Sequence, residues 1–313
     1  MIQDALIRAG SRGCALGVGL LAQACVHVQA PASSPPSGED ALARMRASFA
    51  CANAIQGSAK VDGFGQGVRA RVEVWLFAAR PDRIRMDVLS PFGVALATLT
   101  SDGNAFALSD LRDGRFLVGP ATPCNLARLT TVAIPAHVLV DLLHGQAPVL
   151  KHSASAAGLV WSEAGYWVVT VDGANGTRET LRLAPRPEDW ARPWHDQRLR
   201  VLDIRVEERG YLLYHAELGD HRVAATAPPR VDPDGLSPPL APSGPACAAE
   251  IPRRIRVEVP YPSADLHLVY QTAAWNPPLP DETFDQQPPA GATVEPVMCE
   301  PAAAPQEGPP AHP

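Results

Sequence analysis

Between residues 68 and 88 the chain alternates apolar and polar positions. Val68, Ala70, Val72, Val74 and Leu76 take one parity, while Arg69, Arg71, Glu73, Trp75 and Phe77 take the other. Ile84, Met86 and Val88 then alternate with Arg83, Arg85 and Asp87. A period of two with one apolar parity predicts strands buried on one face and wet on the other. Turn signals follow at short intervals, at Pro91-Phe92-Gly93, Asp102-Gly103-Asn104 and Asp113-Gly114-Arg115. Connections this short join antiparallel neighbours, because parallel strands need long crossovers. Strands are predicted again at 158–162, 165–172 and 177–183, the last two joined by a turn through Asp172-Gly173 and Asn175-Gly176. Leu202, Ile204 and Val206 alternate with Asp203, Arg205 and Glu207, and strands at 211–218 and 221–225 follow Arg209-Gly210. Ile255, Val257 and Val259, then Leu266, Leu268 and Tyr270, give two closing strands.

The period lengthens in two places. Ser37 and Asp40 signal a helix start, after which Leu42, Met45 and Phe49 share one helical face. Residues 121–145 form the second helical place. Pro135 stands where a helix begins, Gly145 where one ends, and Val138, Leu139, Leu142 and Leu143 make an apolar stripe between them. Helices inserted among strands, not grouped at one end, fit one antiparallel sheet curled around them. The fold class is therefore mainly β with helices, a curved antiparallel half-barrel. Residues 38–275 read as one domain and residues 276–313 as a proline-rich, largely irregular tail, in keeping with 33 prolines in 313 residues, about twice the usual frequency.

The N-terminus changes the picture. Arg8 and Arg12 precede an uncharged stretch, residues 13–24, too short to span a bilayer but suited to a signal-peptide hydrophobic region. It ends in Ala22-Gln23-Ala24-Cys25, which looks like a bacterial lipobox whose cysteine is acylated. An ordinary secreted signal cut after Ala24 and an N-terminal core helix are the alternatives. Residues 25–37 then read as a lipidated cysteine and a flexible tether. Four cysteines remain, Cys51, Cys124, Cys247 and Cys299. None lies in a metal-ligand spacing, so an oxidising compartment implies two disulfides in any of three pairings, against four free thiols in a reducing one. A formal charge of −6 and few aromatics argue against nucleic acid.

Leu89-Ser90-Pro91-Phe92-Gly93, followed some forty residues later by Ala133-Ile134-Pro135, a leucine-rich helix and Gly145, resembles the outer-membrane lipoprotein-localisation factors of the LolA/LolB type. The resemblance is closer to LolB, itself a lipoprotein, and extends to the LolA-like lipoproteins of Gram-negative bacteria. It implies a half-barrel whose concave apolar face is lidded by helices, with lipoprotein acyl chains bound between sheet and lid. It also implies that Phe92, between Pro91 and Gly93, projects from its loop and dips into the membrane, and that a soluble periplasmic carrier is a partner. Val26 is not the Asp that retains such proteins at the inner membrane in enteric bacteria, so the expected location is the outer membrane, lipid-anchored and facing the periplasm. The chain departs from the pattern in a segment around 185–200 carrying Trp190 and Trp194, in its proline-rich loop, in two extra closing strands and in its four cysteines.

Physical chemistry sets alternatives beside these expectations. An acyl-chain carrier needs an apolar concavity, for which Val72, Val74, Trp75 and Met86 would serve as wall and Val138, Leu139, Leu142 and Leu143 as lid. Trp75, Trp161 and Trp167 are otherwise core. Arg69, Arg71, Arg83 or Arg85 would interrupt the cavity mouth if they faced inward, and otherwise lie on the solvated face. Phe92 is either tucked into the core or exposed. No nucleophile elbow, zinc-protease motif or phosphate loop occurs, and no cofactor is implied. Two readings lead, a lipid-anchored carrier or acceptor of lipoproteins or lipids and an assembly lipoprotein that uses the same fold as a scaffold. An enzyme is the third.

Overall fold

The computed structural model describes residues 27–65, 67–236, 238–261 and 263–299. Met1–Ala24 and Cys25 lie outside the described residues. A helix, α1 (Gly38–Ser48), comes first, with Ser37 as its N-cap accepting a hydrogen bond from the Asp40 amide at 3.1 Å. Six strands follow: β1 (Ala54–Gly65), β2 (Val68–Ala79), β3 (Arg83–Leu89), β4 (Ala95–Ser101), β5 (Ala105–Asp110) and β6 (Arg115–Pro120). Two helices interrupt them, α2 (Pro123–Thr130) and α3 (Ala136–His144), the latter ended by Gly145 in the left-handed region. The chain resumes with β7 (Ala157–Ser162), β8 (Tyr166–Asp172), β9 (Thr177–Pro185), β10 (Leu199–Glu208) and β11 (Tyr211–Val223). It closes with β12 (Glu250–Val259), β13 (Ala264–Trp275) and β14 (Thr293–Pro296).

All fourteen strands form one open, curved sheet in the order β14-β6-β5-β4-β3-β2-β1-β13-β12-β11-β10-β9-β8-β7. The chain starts at the centre, works out to β6, crosses over with α2 and α3 to the far edge, and counts back until β13 pairs with β1. Helix α3 touches both β3 and β12, which stand four places apart, so the sheet must wrap around it. Gly63 and Gly65 of β1 let the α2–α3 connection come close, because a Cβ on either would stand about 3 Å from Thr131.

Six hairpins, β1–β2, β3–β4, β5–β6, β8–β9, β10–β11 and β12–β13, turn at one rim, called upper here. The lower rim carries the β2–β3, β4–β5 and β7–β8 turns and the long connections 186–198 and 224–249. It is also the tied rim. Cys51 is bonded to Cys247 there. Asn276 donates to the carbonyls of Cys51 and Pro245 and accepts from the amides of Asn53 and Ala54.

Several expectations need correction. Residues 27–37 are not a free tether: Val28 donates to the Glu163 carbonyl and accepts from the Trp161 indole, and Pro31 and Pro35 are buried. Residues 276–299 are not merely an irregular tail. Phe284 packs on Ala54 and Ala79, β14 pairs in parallel with β6, and Cys299 is bonded to Cys124. The two strands expected at 211–218 and 221–225 are one, bent at Asp220, whose φ is 54°.

Candidate functional site

The Ser-Pro-Phe-Gly segment connects β3 to β4 at the upper rim. The Ser90 hydroxyl accepts from the amides of Phe92 and Val94, and its carbonyl accepts from Gly93 at 2.9 Å. Pro91 presets the turn, and Gly93 supplies the left-handed backbone it needs, with φ 77°. These bonds hold the loop from within and leave the Phe92 side chain nothing to pack on. It is 92% exposed, so the tucked alternative does not hold.

Phe92 has company along the same rim. Going across the sheet, Leu111 stands at the β5–β6 turn, Phe92 and Val94 at β3–β4, Phe64 and Val68 at β1–β2, Tyr261 at β12–β13, and Tyr211 at β10–β11. All are exposed large apolar or aromatic residues. The sixth turn, at 173–176, carries none. Turns separated by two strands stand roughly 10 Å apart along a sheet. The rim thus presents spaced greasy tips, not one continuous patch. Of these residues the sequence singles out Phe92 as a site. The signal for the others was an apolar residue beside a turn dipeptide, as in Arg209-Gly210-Tyr211.

The concave side is occupied. Val138, Leu139, Leu142 and Leu143 of α3 are buried, as are Val74 and Met86 of the sheet, with Val72 partly buried against them. Leu42 and Met45 of α1 fill the other half, and Tyr270, wholly buried, donates its hydroxyl proton to the Leu143 carbonyl at 3.2 Å. The lid residues therefore pack directly on the sheet. Trp75 is not cavity wall: it shares parity with Glu73 and Phe77, faces outward and is 54% exposed. Trp167 is buried as core, while Trp161 is half-buried against Trp167 and Trp190.

The four arginines also point outward, because their parity is that of Trp75. Arg69 and Arg71 bind Asp62, Arg85 binds Asp87, and Arg83 lies over the Phe284 ring. The Arg69 and Arg71 hydrogen bonds hold the Asp62 carboxyl well below the usual carboxylate range. Two clefts among the described residues mix polar and apolar lining. One, of about 480 Å³, is lined by Asp62, Phe64, Arg69, Arg256, Asp265 and His267 on the outer face. The other, of about 500 Å³, lies between α1 and residues 149–154 and includes Glu39, Arg46 and His152. Cys25 falls outside the described residues.

No protein-family model matches the chain, and no curated protein matches it. Solved structures to which the chain is similar include a DUF1329 family protein from Desulfovibrio piger, 9% identical over 79% of this chain and 95% of that one, with a TM-score of 0.48. They also include a LolA superfamily protein from Nitrosomonas europaea, 12% identical over 80% of this chain and 98% of that one, with a TM-score of 0.43.

Proposed function

We propose that this protein is an envelope lipoprotein, anchored at the outer membrane through Cys25, that docks on a lipid surface with its upper rim. The observation that carries the reading is the placing of exposed apolar side chains at five of the six upper-rim turns. Each such tip on insertion adds about 1.5–3 kcal/mol for a side chain the size of Phe. Tyrosines fit the water–lipid boundary, since the ring is apolar and the hydroxyl stays wet.

Of the two functional readings, the assembly role is favoured over acyl-chain carriage. Side chains of α1 and α3 already fill the space that hydrocarbon would need. Binding an acyl chain there would require α3 to lift off and expose Leu139, Leu142 and Leu143.

The test uses the mature chain with Cys25→Ser, so that any lipid association comes from the body and not the anchor. It should sediment with phosphatidylethanolamine–phosphatidylglycerol vesicles, and Phe92→Glu should weaken that association roughly 10- to 150-fold. Equal sedimentation of the two proteins would remove the docking role. A fluorescent fatty acid should show no saturable binding at one site per chain, and saturable binding would restore the carrier reading.

A further inference from the structure

The outer face of the sheet carries a ladder of charged side chains, and one group departs from simple pairing. Asp203 of β10 lies directly across from Glu217 of β11, and His215 sits two residues before Glu217 on the same face. Residues opposite one another have Cβ atoms about 4.5–5.5 Å apart, and positions i and i+2 of a strand share a face. Three side chains from two strands therefore converge. A ring nitrogen of His215 and one oxygen from each carboxylate all lie within 4.8 Å of one another. His215 Nε2 is 2.7 Å from Asp203 Oδ2, while its Nδ1 turns toward Glu258 Oε2 at 3.6 Å. We propose that Asp203, His215 and Glu217 form a binding site for a divalent transition metal, with zinc the best-matched ion.

The donor set makes the choice of ion. One imidazole with two carboxylates suits zinc, whereas calcium and magnesium take oxygen donors throughout. Zinc bonds to nitrogen and oxygen run about 2.0–2.2 Å, so donors around one ion stand roughly 3.4 Å apart. Small side-chain rotations bring this cluster to that spacing. Two carboxylates balance a doubly charged ion. Glu258 stands behind the ring on the side away from Asp203, the place from which a carboxylate orients a metal-bound imidazole. Asp203 is fixed in the sheet with its side chain only 10% exposed, while Glu217 at 54% leaves the remaining coordination positions open to solvent.

Two cations compete for the acids. Arg182 Nε is 3.7 Å from Asp203 Oδ1, and Arg256 Nη1 is 4.0 Å from Glu217 Oε2. Both contacts are long, and both guanidinium groups are about half exposed. Arg256 already makes its short contact with Glu258, at 2.5 Å, and keeps it when Glu217 turns to the ion.

Zinc titrated into the chelator-treated mature chain should bind at a single site by calorimetry. Cobalt should give visible d–d absorption from a site with a nitrogen ligand. His215→Ala and Asp203→Asn should each lower affinity more than about 100-fold, and Glu258→Gln about 10- to 100-fold. His267→Ala, on the same face outside the cluster, should leave it unchanged. Circular dichroism checks the fold of each variant, and His215→Gln replaces the alanine if the latter unfolds. Absence of a single-site zinc isotherm at micromolar concentrations overturns the proposal, as does wild-type affinity in both His215 variants.

Discussion

The two rims of the sheet carry the same kind of risk and answer it differently. Each holds a buried glutamate. At the lower rim Glu250 accepts from Arg200 Nε and Nη2 at 2.6 and 2.7 Å, with Arg186 Nε at 3.0 Å. Burial pushes this carboxyl up, but the Arg200 hydrogen bonds and the charges of both arginines outweigh it and hold the group below its ordinary value. Near the upper rim Glu179 faces inward. One oxygen accepts from the Leu150 amide at 2.9 Å, and the other has no hydrogen-bond partner. Burial dominates there and pushes the carboxyl up to about 7. Burial alone does not decide the ionisation of a carboxylate; the donors brought to it do. The lower rim also has Asp189, where burial is again outweighed, here by Arg198, which binds both carboxylate oxygens. The contrast is between a fastened rim and a presenting one.

The largest expected effect tests the fastening. Glu250→Ala removes the closest carboxylate from two guanidinium groups, one of them Arg186 at 5% exposure. It should cost about 3–5 kcal/mol in urea unfolding, and a loss below about 1 kcal/mol would show that the ion cluster holds nothing together. Removing the Cys51–Cys247 bond, which joins residues 196 apart in sequence, should cost about 2–5 kcal/mol as the double alanine variant.

Glu179 gives an effect of opposite sign. Its folded pKa lies above the unfolded value of 4.5, so between pH 4.5 and about 7 the folded chain holds a proton that the unfolded chain has released. Stability from this group therefore falls as pH rises through that window. Glu179→Gln should remove the fall and raise stability at pH 8 by up to about 3 kcal/mol, read from unfolding curves at pH 4.5 and 8. His144 slopes the other way. Burial keeps it neutral down to about pH 3, so it favours the folded state increasingly from pH 3 to 6.5, and comparing variant with parent cancels it. The smallest effect belongs to the presenting rim. Phe92→Glu and Tyr261→Glu should change unfolding free energy by less than about 0.5 kcal/mol. A larger loss would mean that these tips serve the fold.

Much of the scaffold could be read from the chain. Period-two alternation located β2 and β3, and the Ser37 cap, the apolar stripe and Gly145 located α1 and α3. The central strand β1 escaped, because Gly57, Gly63 and Gly65 dilute its alternation. Those glycines are there because Thr131 and the β13 backbone approach too closely for a side chain. Trp75 was misassigned on hydrophobicity when its parity with Glu73 already put it outside. Strand β14 was illegible for another reason: four residues carry no period, and its partner lies some 180 residues earlier. The exposure of Phe92 depended on hydrogen bonds within its own loop. The meeting of Asp203 with His215 and Glu217 depended on strand register, which spacing along one chain does not encode.

The last strand has a consequence for solubility. Without it, β6 would offer a row of free amides and carbonyls, a template on which another copy could polymerise. The C-terminal segment seals that template: Thr293 donates to Gly114, Val297 donates to Val118, and Arg115 grips Glu295. What then faces outward is only four residues long and ends in Pro296, which has no amide proton to offer a newcomer. A wide ribbon of strands is thereby given a selvedge along its β6 side.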